Sequence, residues 1–434
     1  MTRHIKPMGS QTNGYIHGGF RRICLLTSLF LMTAFLACTQ WSTTARAQSL
    51  TWNTGDVHDL WRGYNSDFYT KGANGGYIFA RKSGGPVWTS FWEYAEEIEM
   101  ADDAYRHSLT NYPTRSHSSY VEEINNLCTG FVDNMPPAWK GPNGPYDWSK
   151  DTYNDDLMWA VMAFARAYEI TKNENWLTAA EENFNTVWNR AQPDGTTDGS
   201  MGLIQAQGTK RLDANINFSF VIAGNILNKI TGDATYKREA DAIFKWAKAN
   251  LYLYSYAPCR NEPNYTCSKI LYKNDSELGG PITYKDRTYH YGVAIKAAVL
   301  EHDTTMAQTV TNWLMYNLTL DDASPAFPYA GTYDGYNILP NYLAGCKYSC
   351  NDDGYNGIAL RGVGFALANG VITNPNTLPW AQANLQDAWN HRNSTPVIWA
   401  DWVSTTTAGT QYSWSDSAAL TGMLDIPAPF GYPQ

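Results

Sequence analysis

The chain has 434 residues, 44% of them hydrophobic, 14% aromatic and only 17% charged, which supplies a large core and excludes intrinsic disorder. Its formal net charge is −9; without residues 1–47, which hold five basic residues and no acids, 27 basic and 41 acidic residues remain, net −14. That balance disfavours nucleic acid and anionic membranes as partners.

In chain order, Arg21 and Arg22 precede an uncharged apolar run from Ile23 to Ala37, and Ala45-Arg-Ala47 follows. A basic region, a short apolar region and an A-x-A site predict a secretory signal peptide over residues 1–47, too short for a membrane span of roughly 20 residues. The mature chain, 48–434, is expected to be a monomer in an extracellular or periplasmic compartment, with no membrane span.

A 3.6-residue period then recurs along the chain. Helices are expected at about 55–69, 87–107, 116–133, 153–171, 174–191, 213–231, 234–251, 286–302, 304–319, 354–370, 377–392 and 413–425. The stripe is clearest in 234–251, where Tyr236, Ala240, Ile243, Phe244, Ala247 and Leu251 share a face and Lys237, Arg238, Asp241, Lys245 and Lys248 lie elsewhere. Tight turns at Lys172-Asn-Glu174, Thr231-Gly-Asp233 and Asn374-Pro-Asn376 make αα-hairpins. Long loops lie between them, at 134–152, 192–212, 253–285 and 320–353. Twelve antiparallel helices without a sequence repeat predict an all-α fold, a closed (α/α)6 barrel in one domain rather than an open solenoid. All the long loops would then surround one mouth.

Cysteine usage fits an oxidising compartment. Cys259 with Cys267, and Cys346 with Cys350, are close enough in sequence for two local disulfides, while Cys128 reads as a small core residue. The Cys346/Cys350 pair has no second Cys or His pair at finger spacing, so a zinc site is disfavoured. No metal or other cofactor is expected.

The chain carries four Asp-Asp pairs, and a bare pair is ordinarily a cap or a solvated turn. Asp102-Asp103 lies in an acidic helical stretch, and Asp321-Asp322 opens a loop. Asp352-Asp353 reads as a turn at a helix start, suited to supporting a site or binding a sugar hydroxyl. Asp155-Asp156 differs, because it stands where a long loop meets a strongly apolar helix. A helix N-terminus favours one ionised carboxylate, while Tyr153 and Trp159 are placed to desolvate the other. Two carboxylates with separated pKa values about 5–5.5 Å apart are the requirement of a retaining glycosidase. Phosphate loops, HExxH and the Gly-x-Ser-x-Gly elbow are absent from the sequence, and His290 reads as a structural histidine.

The stretch Tyr153-Asn-Asp-Asp-Leu-Met-Trp-Ala-Val-Met resembles the paired-aspartate helix of family 76 glycoside hydrolases, secreted endo-α-1,6-mannanases and their fungal wall-transglycosylase relatives. Five further segments resemble that family in order: Phe91-Trp-Glu-Tyr, Lys210 to Phe218, Thr283 to Gly292, Asp353 to Arg361, and Ala388-Trp-Asn-His with Ala400-Asp-Trp402. The resemblance implies an (α/α)6 barrel acting on α-mannan or mannooligosaccharides, with Asp155 as nucleophile and Asp156 as acid/base. It also implies Asn217, Asp213 and Asp353 as ligands of the reacting sugar, and Tyr153, Trp159, Tyr289, Tyr355 and Trp402 as stacking faces. A transglycosylase or a non-catalytic glycan-binding barrel is the alternative. His290-Tyr291 and Asn356 depart from the family pattern at the expected cleft, where they bear on linkage or chain-length preference.

Overall fold

Local chemistry starts and stops the helices close to where the periodicity puts them. The computed structural model describes residues 49–83, 85, 87, 89–253, 258–260, 262–273, 282–283, 287–318, 329–340, 354–407 and 412–431. Among these residues there are twelve α-helices: α1 Thr54–Phe68, α2 Phe91–Asn111, α3 Ser118–Asn134, α4 Asn154–Thr171, α5 Glu174–Arg190 and α6 Ala214–Thr231, followed by α7 Ala234–Asn250, α8 Thr288–Leu300, α9 Thr304–Tyr316, α10 Tyr355–Ala368, α11 Thr377–Asn390 and α12 Ser413–Asp425. At the start of α1, Asn53 Oδ1 accepts from the N–H groups of Gly55 and Asp56, and the Asn53 N–H donates back to Asp56 Oδ2 at 2.9 Å, a reciprocal cap. The α6–α7 turn uses Gly232 at φ 76° and Asp233, whose side chain accepts from Thr235 N–H. Helix α2 begins four residues later than expected, because Ser90 N–H donates to Glu93 Oε2 at 3.1 Å and fixes the start there.

The even-numbered helices form a ring. Helix α2 packs on α4, α4 on α6, α6 on α8, α8 on α10, α10 on α12, and α12 returns to α2. The odd-numbered helices cover the outside. Burial separates the two sets: every residue of α6 from Ala214 to Gly224 is buried, whereas α7 buries only Tyr236, Glu239, Ala240, Ile243, Phe244 and Ala247. A helix that is apolar all round belongs inside, and one with a single stripe belongs on the surface. The chain is therefore an (α/α)6 barrel. Helices α8 and α10 approach so closely that a Cβ on Gly362 would stand 2.2 Å from Gly292 O.

The barrel interior is charged as well as apolar. Arg166 of α4 and Arg361 of α10 both reach Asp103 of α2; Arg361 also binds Glu96, and Arg166 Nη1 lies 2.9 Å from Glu99 Oε2. Asp103 is thus part of a buried ionic clasp across the ring, and Asp102 is buried beside it. Cys128 is buried and free, and Cys259 pairs with Cys267 beside the short β-ladder of Pro258–Cys259 and Glu262–Thr266. The Cys346/Cys350 pair, Asp353 and the segment 1–47 expected to be a signal peptide lie outside the described residues. Among the described residues no helix is long and apolar enough to cross a membrane. The helical period gave no warning of the small hairpins, such as Tyr69–Lys71 with Tyr77–Phe79, which turns through Gly75 and Gly76 at positive φ.

Candidate active site

Asp155 and Asp156 occupy the first turn of α4, at the barrel end where the inner helices begin. The loop 192–212 runs beside the segment preceding them. Asn154 N–H donates to Gln205 O at 2.7 Å, Gln207 N–H to Thr152 O at 2.8 Å, and Asn154 Nδ2 to Ile204 O at 2.7 Å. Arg190 clamps the same segment through Asn154 Oδ1 and the carbonyls of Ser149 and Asp151. This pairing delivers the Gln205 side chain to the first aspartate.

Asp155 Oδ2 accepts from Gln205 Nε2 at 2.7 Å and from Asn215 Nδ2 at 2.5 Å. Burial raises its pKa, and these two amides pull it back toward the ionised form. Asp156 lies half-buried in the cleft, and burial, then the charges of Asp155, Asp151 and Glu93, push its carboxyl well above the usual carboxylate range. Adjacent acids in one site cannot both ionise cheaply, and the amides decide which one does. Of the two, Asp155 is the easier to ionise, because the amide donors serve it and not Asp156.

The two acids open into a cleft of about 330 Å³ lined also by Ser90, Trp92, Tyr153, Trp159, Gln205, Asn215, Tyr289 and Tyr355. Tyr289 and Tyr355 lie 4.2 Å apart between ring centroids, with Trp159 6.2 Å from Tyr289 and Trp92 6.0 Å from Tyr355. Tyr153 stands at the rim, 51% exposed. Arg287 spans Tyr355, donating to its hydroxyl at 3.1 Å.

Four of the aromatic residues expected to stack on sugars therefore share the cleft with both aspartates. Trp402 does not: it is 1% exposed and belongs to the core. Asn217 is fully buried, with its amide spent on Leu203 N–H at 2.8 Å, Leu203 O at 3.1 Å and Asp213 O at 2.8 Å. It ties the Gln205 loop to α6 and does not face the cleft. Asp213 caps α6, pairs with Arg211 at 3.0 Å, and lies 3.4 Å from His290 Nε2. Burial raises Asp213 to about 7 and keeps His290 neutral, so Asp213 supports the site from behind. Asp353 lies outside the described residues. Gln205, Asn215, Trp92 and Ser90 were not picked out as site residues from the sequence. Asn215 stands two residues from Asp213 in the same segment, and the spacing does not say which asparagine turns inward.

Residues 62–425 match the profile of the family described as Glycosyl hydrolase family 76. No curated protein matches the chain. Among solved structures it is similar to the GH76A α-1,6-mannanase from Salegentibacter sp. HEL1_6, at 17% identity and a TM-score of 0.63 over 86% of this chain and 98% of that one. A variant of that enzyme lacking two consecutive aspartates, described as inactive and bound to α-1,6-mannotetrose, matches at 16% identity and a TM-score of 0.62, with the same 86% and 98% coverage. The family 76 mannosidase of Bacteroides thetaiotaomicron VPI-5482 matches at 12% identity and a TM-score of 0.61 over 86% of this chain and 96% of that one.

Proposed function

The chain belongs to glycosyl hydrolase family 76, and from that premise we propose that it is a secreted, endo-acting α-1,6-mannanase using retaining double displacement. The observation that carries the reading is the unequal environment of the adjacent acids: Asp155 holds two amide donors, and Asp156, raised by burial and by three neighbouring acids, faces the cleft. The inactivity of the Salegentibacter variant that lacks two consecutive aspartates supports giving the chemistry to this pair.

In the first step Asp156 gives its proton to the glycosidic oxygen as that oxygen leaves the anomeric carbon. Asp155 attacks the same carbon and forms a glycosyl ester. In the second step Asp156, now a carboxylate, takes a proton from water; the water oxygen bonds to the anomeric carbon and Asp155 departs as the free carboxylate. The aromatic faces of Trp92, Trp159, Tyr289 and Tyr355 suit an uncharged sugar, whose ring presents C–H groups to them.

The test is incubation of the purified protein with linear α-1,6-mannan, with product sizing and time-resolved NMR of the new anomeric centre. A ladder of oligosaccharides whose first-formed ends are α supports the reading. Untouched mannan overturns the activity, β ends overturn retention, and monosaccharide alone overturns the endo mode. Elongated products would assign the intermediate to a sugar acceptor instead of water. Export is tested separately, by expressing the full chain and finding whether the released protein begins at Gln48.

A further inference from the structure

Arg211 is joined to Asp155 by a chain of short contacts. Its Nη2 lies 3.0 Å from Asp213 Oδ2, Asp213 Oδ1 accepts from the Asn215 N–H at 3.3 Å, and Asn215 Nδ2 donates to Asp155 Oδ2 at 2.5 Å. The main chain of Arg211 reaches the same acid by a second route. Its carbonyl accepts from Gln205 N–H at 2.8 Å, beside the bridge between Ile204 and Leu212, and Gln205 Nε2 donates to Asp155 Oδ2 at 2.7 Å. Both amides on Asp155 therefore belong to segments that Arg211 ties down.

What the guanidinium does to Asp155 depends on the charges around it. An ionised Asp213 would cancel it, but burial raises Asp213 to about 7 against the pull of Arg211 itself. Below neutral pH the guanidinium thus stands beside a protonated acid and keeps its charge. His290, 3.4 Å from Asp213, is held neutral by burial, then by Arg287 and Arg211. Tyr289 stays a neutral phenol, and Arg287, the residue preceding α8, is engaged with Tyr355.

The segment that carries Asp155 adds only acids. Asp151 and Asp156 belong to it, with Arg190 of α5 beside Asp151 and Glu93 of α2 facing Asp156. Burial resists the ionisation of Asp155; the amides of Gln205 and Asn215, then the charge of Arg211, favour it. The Arg211 side chain is 36% exposed, and an ion pair with one partner this open adds little to stability. Its charge matters more to the acid it helps to ionise than to the fold.

We propose that Arg211 is a positioning residue for the reaction: it holds the segments that aim both amides at Asp155 and supplies positive charge that favours the carboxylate form of that acid. That the carboxylate is a nucleophile rests on the mannanase reading; the effect of Arg211 on its ionisation does not.

The test uses the full chain with Arg211→Met, which removes the charge, and Arg211→Lys, which keeps it. Aspartate labelled with 13C at the side-chain carboxyl is incorporated, and the Asp155 resonance is identified by its loss in Asp155→Asn. The Asp155 titration midpoint is expected to rise by roughly one pH unit in Arg211→Met and to return toward the parent value in Arg211→Lys. The acidic limb of kcat/KM on linear α-1,6-mannan should move in the same direction by the same amount. A purely structural role would lower activity or the urea midpoint and move neither titration. An unmoved midpoint in Arg211→Met, or an equal displacement in Arg211→Lys, overturns the proposal. If the parent protein leaves mannan uncut, the mannanase reading fails, and the NMR midpoint still decides the role of Arg211.

Discussion

Asn215 Nδ2 donates to Asp155 Oδ2 at 2.5 Å, which ties the start of α6 to the start of α4 across the mouth of the barrel. A donor to a carboxylate favours its charged form, so this bond and its Gln205 counterpart offset part of the rise that burial imposes on Asp155, the proposed nucleophile. Asn215→Ala is expected to raise the Asp155 pKa and move the acidic limb of the kcat/KM profile to higher pH. Loss of one charge-assisted bond, about 1.5 to 3 kcal/mol, corresponds to roughly a 10- to 100-fold fall in kcat/KM at its optimum. Gln205→Ala should shift the limb in the same direction. An unshifted limb with lower activity would mean the amide only packs.

The paired acids should fail differently. On the proposed mechanism Asp155→Asn removes the nucleophile, and Asp156→Asn removes the acid and then the base, a step typically worth about 10² to 10⁴ in rate. Both variants are expected to fold, since they line an open cleft. With an aryl mannoside, whose leaving group needs no protonation, Asp156→Asn should retain a rapid first turnover and accumulate the glycosyl-enzyme, visible by mass spectrometry of the intact protein. The sign of the pH effect follows from the raised Asp156 pKa: activity needs the proton, so it persists to neutral pH and declines as pH rises through that pKa. Asp156→Asn should lack the alkaline limb.

Much of the architecture was legible because it is written in periodicity. The stripe of α7 marked a helix with one packed face, α4 stood out as strongly apolar, and Gly232-Asp233 marked the turn between two helices. Asp155-Asp156 stood out because of the loop-to-helix boundary it occupies. What the sequence hid was direction. Asp213, Asn215 and Asn217 alternate along the first turn of α6, yet only Asn215 reaches the cleft; Asp213 is used as a cap and Asn217 as a staple on Leu203. That choice depends on where the loop carrying Gln205 crosses, a contact between segments far apart in chain order. The role of Asp103 was hidden for a similar reason, because its partners Arg166 and Arg361 lie on other helices and only ring closure brings them together.

That interior clasp should be costly to open. Arg361 bonds Asp103 and Glu96 in a dry setting. Removing one member of a buried ionic set leaves charge uncompensated, which costs about 3 to 5 kcal/mol. Arg361→Met is expected to lower the urea midpoint without changing the slope. A double variant, Arg361→Met with Asp103→Asn, should recover part of the loss. Equal destabilisation by the single and double variants would show that the cost is packing, not charge.

Stability should also fall on the alkaline side. Glu123 is raised to about 8 and Asp213 to about 7, in both cases chiefly by burial. For an acid whose folded pKa lies above its unfolded value, the folded state keeps the proton longer. The stabilising contribution is complete below the unfolded pKa of roughly 4 and is lost as pH rises through the folded value. The melting temperature should therefore decline between pH 5 and pH 8.5 through these groups. Glu123→Gln, which cannot ionise, should flatten part of that decline when both proteins are scanned by differential scanning calorimetry at matched ionic strength. Parallel curves for the two proteins would show that Glu123 titrates equally in the folded and unfolded states.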